Sequence, residues 1–190
     1  NLLLQAENLG GFEFGPLEAL YDVPGYPWSC FNTMAWGDAD GDGDLDVFLP
    51  GLVGVPDATW WETEEDDGPW VLVSENLLLL NDEGSFVPAA QRLHLGANPS
   101  LSFLSAFSDR DGDGRQDLLV TSDRSALPWW PAGVFFHNDG NDADGEPRLV
   151  APTGNLGMPL NVSGMGMATT DLNDDGRLDY CLTDIARTLP

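Results

Sequence analysis

One short acidic stretch occurs three times in this chain and restricts the folds open to it. The copies are residues 37–49 (GDADGDGDLDVFL), 108–120 (SDRDGDGRQDLLV) and 170–182 (TDLNDDGRLDYCL). They align without gaps, with an aspartate at the second position and a glycine at the seventh position in every copy. Repetition at intervals of about 60 to 70 residues predicts an array of supersecondary units rather than one undivided domain.

The three copies have the composition of metal-binding loops, named here loops 1, 2 and 3. Calcium takes six to eight oxygen ligands in a flexible geometry, and a glycine allows the tight bend around the ion. We predict a calcium site in each loop, about three in all. The ligands would be Asp38, Asp40, Asp42, Asp46 and the carbonyl of Asp44 in loop 1; Asp109, Asp111, Asp113, Asp117 and the carbonyl of Arg115 in loop 2; and Asp171, Asn173, Asp175, Asp179 and the carbonyl of Arg177 in loop 3.

Two other interpretations of the loops are less consistent with the sequence. An EF-hand needs a bidentate glutamate at its twelfth position, where this chain has Leu49, Val120 and Leu182. A solvated acidic turn would explain one copy but not three copies in register. Asn173 stands where the other loops have aspartate, and we expect it to weaken the third site.

Apolar and small-residue runs on both sides of each loop predict β-strands. An apolar strand follows each loop, at 47–49, 118–120 and 180–182, and a small-residue strand precedes it. The preceding strands carry Ala35, Ala106 and Ala168 in one column. We expect a closely packed neighbour at each alanine, because a larger side chain would need space that a dense interior lacks.

Three hairpins complete the predicted units. Residues 1–14 have an apolar strand at 2–4, a turn near Gly10 and Gly11, and a second strand through Phe12 and Phe14. The pattern returns at 76–87 and at 134–150, where the turn from 138 to 146 is longer and acidic. Each unit therefore has four short antiparallel strands, with approximate repeats 1–75, 76–133 and 134–190 in a single segment.

The loops and the NxLLxNxGxF hairpins resemble FG-GAP/VCBS repeats, the units of integrin α-subunit β-propellers. The stretch MGMATTDLNDDGRLDY is especially similar to the bacterial relatives of cartilage acidic protein. The resemblance implies an all-β fold of about three four-stranded propeller blades, each with a calcium-binding loop. It also implies an extracellular scaffold for adhesion or interaction.

Three blades are fewer than the four to eight of a closed propeller. We expect either a piece of a longer propeller, whose last blade is incomplete here, or assembly between chains. In the second case the N-terminal hairpin of one chain completes the last blade of another and gives a ring or a filament. Cys30 and Cys181 are too few for a disulfide framework. We expect two buried free thiols, with a bridge between chains as the alternative.

The net charge and the small number of possible catalytic residues argue against several classes of function. The chain has 32 acidic and 7 basic residues and a net charge of -25, which argues against nucleic acid and anionic membrane surfaces as partners. It has no apolar run long enough to span a membrane. His94 and His137 stand in no recognisable catalytic setting, and we expect His137 to pack or to cap a turn. We predict no enzyme, except as part of a larger propeller-containing one.

The predicted function is therefore a secreted or cell-surface scaffold that binds calcium and a protein or glycan ligand. Self-association into a ring or filament is the alternative. The connections carry Trp60, Trp61, Trp129 and Trp130, which either pack between units or form an aromatic binding surface. Asp142, Asp144 and Glu146 form either an extra cation site or, as we expect, a solvated turn.

Overall fold

All regular structure in the described residues is β-strand. The computed structural model describes residues 2–22, 29–54, 76–89, 102–122, 133–151 and 164–184. Its strands are β1 (Leu2–Gln5), β2 (Asn8–Gly10), β3 (Glu13–Phe14), β4 (Glu18–Asp22), β5 (Ser29–Phe31), β6 (Ala35–Gly37), β7 (Asp46–Leu49), β8 (Gly51–Gly54), β9 (Leu77–Asp82), β10 (Ser85–Pro88), β11 (Ser102–Ser108), β12 (Asp117–Ser122), β13 (Val134–Asn141), β14 (Pro147–Val150), β15 (Gly164–Thr170) and β16 (Asp179–Asp184). The all-β prediction is confirmed for these residues, and none of them belongs to a helix with the length and apolarity needed to cross a membrane.

Two four-stranded antiparallel sheets form the centre of the structure. Sheet 1 has the order β6, β7, β9, β10, and sheet 2 has the order β11, β12, β13, β14. Loop 1 joins β6 to β7, and loop 2 joins β11 to β12. The predicted hairpins are confirmed as the β9–β10 and β13–β14 pairs. Because β9 pairs with β7, each sheet joins the end of one predicted repeat to the start of the next.

Loop 3 joins the two strands of a smaller sheet, β15 and β16, named here sheet 3. The pairs β1–β4, β2–β3 and β5–β8 are also antiparallel and two-stranded. No sheet closes on itself among the described residues, so the propeller arrangement stays a prediction.

The sheets stack face to face through their apolar strands. Phe48 of sheet 1 and Leu118 of sheet 2 belong to one buried cluster between these sheets. The opposite face of sheet 1 packs Val47 against Leu3 of β1, and the opposite face of sheet 2 packs Leu119 against residues of sheet 3. Burial of both faces explains why residues 47–49 of β7 and 118–120 of β12 are continuously apolar rather than alternating.

Sheets 1 and 2 approach most closely at a glycine. A Cβ added to Gly37 would lie 2.5 Å from Cγ and 2.6 Å from Cβ of Phe107, and it would also overlap Gln116. At the alanine column, Ala35 is buried as predicted, but Ala168 is exposed. The prediction is wrong for Ala168 because the described residues place no neighbouring sheet on its face of sheet 3.

The cysteine and N-terminal hairpin predictions need correction. Cys181, the strand partner of Ala168, is an exposed free thiol rather than a buried one; the side chain of Cys30 lies outside the described part of the structure. Strand β1 pairs with β4, not with the strand expected through Phe12 and Phe14. Phe12 lies in the β2–β3 turn with a φ of 68° and is fully exposed. Leu3 instead lies opposite Tyr21, an apolar partner farther along the chain.

Candidate metal centre

The three loops share a framework of backbone hydrogen bonds to aspartate side chains. In each loop, Oδ2 of the last aspartate accepts the N–H of the residue seven positions earlier. The three bonds are Ala39 to Asp46 (2.8 Å), Arg110 to Asp117 (3.3 Å) and Leu172 to Asp179 (2.9 Å). Oδ2 of the first aspartate accepts a glycine N–H, in the bonds Gly43 to Asp38 (3.2 Å), Gly114 to Asp109 (2.9 Å) and Gly176 to Asp171 (2.7 Å).

The shared glycine turns back towards the first aspartate in a left-handed conformation. Its φ is 100° at Gly43, 88° at Gly114 and 84° at Gly176, a region that side-chain-bearing residues rarely adopt. The predicted glycine bend is therefore confirmed in all three loops.

Loop 1 gathers three carboxylates close together. Asp38, Asp40 and Asp42 each place one carboxylate oxygen within 4.8 Å of the others. Oδ1 of Asp38 is buried, and no hydrogen-bond partner for it is found in the described structure. Burial above all, together with the carboxylates of Asp46, Asp42 and Asp38, raises the pKa of Asp40 to about 6, although the hydrogen bond from the N–H of Asp42 lowers it. Loop 1 thus concentrates negative charge in a partly dry space.

Asp46 joins loop 1 to the hairpin of its own sheet. The side chain is fully buried, and burial is the main cause that raises its pKa. Besides the bond from Ala39, its Oδ1 accepts the N–H of Asn81 at 2.9 Å. Asn81 Nδ2 donates to the carbonyl of Leu45 at 3.2 Å, and Asp44 Oδ2 accepts the N–H of Glu83 at 2.9 Å. The β9–β10 hairpin therefore holds loop 1 along one side.

The hairpin of sheet 2 holds loop 1 along another side. Asn138 Nδ2 donates to the carbonyl of Ala39 at 2.8 Å, and Asn141 Nδ2 donates to the carbonyl of Asp40 at 2.7 Å. The sequence indicates only that these two asparagines belong to a turn. An asparagine recurs after an apolar strand at Asn81 and Asn138, and this recurrence could have indicated that these residues hold a loop in place. The sequence does not show which loop each one contacts.

Loop 2 brings a histidine to its carboxylates. Asp111, Asp113 and His137 place one ligand atom each within 4.8 Å of the others. His137 Nδ1 lies 3.0 Å from Asp117 Oδ1 and 3.4 Å from Asp111 Oδ2. The contact with loop 2 was not predicted, because the strand position of His137 alone gave no sign of it.

The arginine of loop 2 pairs with a predicted ligand. The Arg115 guanidinium forms an ion pair with the Asp113 carboxylate, and its Nε donates to the carbonyl of Asn138 at 2.7 Å. The two oxygens of Asp109 accept N–H groups from Gly112 (2.7 Å), Asp113 (3.1 Å) and Gly114 (2.9 Å). The chain itself therefore supplies donors to most carboxylates of loop 2.

Loop 3 and the acidic turn are more open to solvent. In loop 3, Asn173 Nδ2 donates to Asp175 Oδ2 at 3.2 Å, so that the amide turns a donor towards a predicted ligand. In the acidic turn, Asp142 Oδ1 accepts the N–H groups of Asp144 at 2.8 Å and Glu146 at 3.1 Å. All three of these turn residues are exposed or half-buried, as a solvated turn would be.

Oxygen donors on a flexible loop suit a hard divalent cation, and calcium in particular accepts carboxylates and carbonyls together. Loop 1 has three carboxylates that could hold a metal ion, and Oδ1 of Asp38 has no partner among the described residues. The predictions for His94, Trp60, Trp61, Trp129 and Trp130 lie outside the described residues. Comparison of the chain with protein-family models, with curated proteins and with solved structures finds no match.

Proposed function

We propose that this chain is an extracellular, calcium-stabilised repeat scaffold of the β-propeller type, which presents its surface to a protein or glycan. The observation that carries the calcium part is the buried Oδ1 of Asp38, for which the described residues supply no partner, beside two more carboxylates. A cation there would take Asp38, Asp40, Asp42, Asp46 and the carbonyl of Asp44 as ligands. Calcium supplies charge compensation at this place, and the chain's own residues hold the loop in position.

The propeller part of the proposal is supported by stacking and repetition. Sheets 1, 2 and 3 follow one another face to face, and each begins with a small-residue strand, an acidic loop and an apolar strand. The same order of elements underlies the resemblance to FG-GAP/VCBS repeats. The proposed role is structural rather than enzymatic. It is consistent with loops that receive hydrogen bonds from the protein on several sides.

The binding part is supported by exposed apolar side chains on the β2–β3 hairpin and directly after it. Leu9, Phe12, Phe14 and Leu17 are 58%, 102%, 64% and 70% exposed. Aromatic rings pack on protein side chains and on the faces of sugars. Screening the protein on a glycan array and on cell surfaces in calcium, beside a Phe12→Ser/Phe14→Ser variant, tests this part. Loss of binding in the variant supports it, and equal binding by both proteins contradicts it.

Thermal unfolding with and without calcium tests the calcium part. Removal of calcium with a chelator should lower the melting temperature, because each site stabilises the folded state by about 2.7 kcal/mol at a hundredfold excess of calcium over Kd. An Asp40→Asn/Asp42→Asn variant should lose the part of this calcium dependence that comes from loop 1. The control is Asp142→Asn/Asp144→Asn in the acidic turn, which removes the same charge and should keep it. Equal melting temperatures of the unmodified protein in calcium and in chelator would contradict the proposal.

Assembly between chains is a second candidate function, favoured by the edge of β16 on which the described residues place no further strand. Oδ1 of Asp46 and Oδ1 of Asp117 each accept an asparagine N–H from the adjacent hairpin, at 2.9 Å in both cases. For Asp179 the described residues supply only the loop N–H to Oδ2. A hairpin from a second chain would supply the missing donor and pair with β16. Sedimentation in calcium over a hundredfold range of concentration tests it: growing mass supports assembly, and a constant monomer mass contradicts it.

A further inference from the structure

The three loops carry different charges although their ligand positions match. Residues 37–49 contain five aspartates and no basic residue, a net charge of -5. Residues 108–120 contain four aspartates and two arginines, a net charge of -2, and residues 170–182 contain four aspartates and one arginine, a net charge of -3. Loop 1 therefore has the largest uncompensated charge, and loop 2 has the smallest.

The largest difference lies at the position whose backbone carbonyl is the predicted ligand. Loop 1 has Asp44 there, which adds another carboxylate, and loop 2 has Arg115. The Arg115 guanidinium pairs with Asp113 while its Nε is bound to the carbonyl of Asn138. A cation of the chain itself is thus held beside the carboxylates of loop 2.

A second difference lies in the strand beside each loop. His137 immediately precedes Asn138, and at the same place before Asn81 the chain has Leu80, which is buried. A carboxylate only accepts hydrogen bonds, so the Nδ1 of His137 carries the hydrogen that faces Asp117 at 3.0 Å. Loop 1 has no such donor from the Leu80 side chain.

A third difference lies at the first aspartate of each loop. Both oxygens of Asp109 in loop 2 accept backbone N–H groups, whereas Oδ1 of Asp38 in loop 1 is buried without a partner in the described structure. We propose that Arg115 and His137 hold loop 2 closed without a cation, and that loop 1 is the loop whose closure depends on calcium. This inference rests on the proposed calcium binding and assigns the calcium dependence to one loop.

The inference predicts local opening when calcium is removed. Without a cation, the carboxylates of loop 1 repel one another across a few ångströms, and the loop opens until water screens them. Loop 2 keeps its arginine and histidine contacts under the same conditions. Calcium should also bind loop 2 more weakly than loop 1, by roughly tenfold or more, because Arg115 already neutralises Asp113.

Hydrogen exchange followed by mass spectrometry separates the loops in one sample. In chelator, peptides that cover residues 38–46 should exchange at least roughly tenfold faster than in calcium. Peptides that cover residues 109–117 should change by less than about twofold. The comparison uses the unmodified chain, so it does not depend on whether a variant folds.

Two substitutions should transfer the calcium dependence to loop 2. Arg115→Gln removes the charge and keeps a side-chain donor for Asn138, and His137→Leu introduces the residue that sheet 1 has at this place. The double variant should exchange residues 109–117 faster in chelator and regain protection in calcium. The control is Arg148→Gln, which removes an equal charge from the exposed partner of Asp139 and should leave both loops unchanged.

The outcomes distinguish the inference from the proposed function. If calcium protects neither loop, both are overturned. If calcium protects the two loops equally, or if the double variant exchanges like the unmodified chain, the inference is overturned and the calcium scaffold stands. Two results together support both the inference and the proposed function. Calcium should strongly protect loop 1 but not loop 2 in the unmodified chain, and it should protect loop 2 in the double variant.

Discussion

Replacement of Asp46 by asparagine should destabilise the structure even when no cation is present. The Asp46 carboxylate is fully buried and accepts two N–H groups, from Ala39 at 2.8 Å and from Asn81 at 2.9 Å. Asparagine has the same shape but only one accepting oxygen. One of the two N–H groups would therefore face the NH₂ of the new side chain and lose its acceptor.

Two opposing effects set the size of this destabilisation. Loss of a hydrogen bond to a buried carboxylate costs about 1.5–3 kcal/mol. Burial raises the pKa of Asp46, which means that the fold disfavours the charged carboxylate, and the neutral asparagine avoids this penalty. We expect a net loss of about 1–2 kcal/mol in chelator at pH 7. In calcium the variant also loses a ligand, so the loss should grow by up to about 2.7 kcal/mol at a hundredfold excess over Kd.

Urea denaturation in chelator and in calcium measures both losses. The matched control is Asp179→Asn in loop 3. Its Oδ2 accepts the same loop N–H as in Asp46, but the residue is only half-buried and no bond from a hairpin to it is found among the described residues. This control should cost less than about 1 kcal/mol in chelator. An Asp46→Asn protein as stable as the unmodified chain in both buffers, or a control that costs as much, would refute the bridging role of Asp46.

Three further measurements follow from the structure. Gly37→Ala should destabilise the fold by about 1–3 kcal/mol in urea, because its Cβ would overlap Phe107; an unchanged midpoint would mean that sheets 1 and 2 do not approach there. Asn138→Ala should lower the free energy of unfolding by about 2–4 kcal/mol, because the carbonyls of Ala39 and Gln116 lose their hydrogen-bond donor. Replacement of the exposed Asn141 by alanine should cost about 1 kcal/mol or less. Equal losses would contradict the bracing of loop 1 by Asn138. Asp40, with its pKa raised from 3.8 to about 6, binds a proton more tightly in the folded chain, so that without cation its contribution to stability should fall as the pH rises from about 4 to 6. Calcium should displace this proton, and titration calorimetry near pH 6 in buffers of different ionisation enthalpy should detect the release; no release would contradict the role of Asp40 as a ligand.

Local chemistry explains the parts of the fold that the sequence predicts. The glycine in each loop needs a positive φ wherever the surrounding chain goes, and all three have one. Residues 47–49 and 118–120 are apolar on both faces because both faces are buried, so composition predicts that a strand follows loops 1 and 2. It does not predict the full extent of these strands, since β12 includes the polar residues Asp117, Thr121 and Ser122. The β9–β10 and β13–β14 hairpins follow from an apolar run and a nearby turn.

The features that the sequence does not predict depend on contacts between residues that are far apart in the chain. The sequence by itself determined three acidic loops, their shared turn and the apolar strands beside them, since each depends on neighbours in the chain. Only the tertiary structure paired β1 with β4 and brought Asn138 to the carbonyl of Ala39, 99 residues away. It also placed His137 beside Asp117 while leaving Asp38 Oδ1 without a described partner. Loops that match by sequence differ in their charge balance because the residues that face them come from other strands.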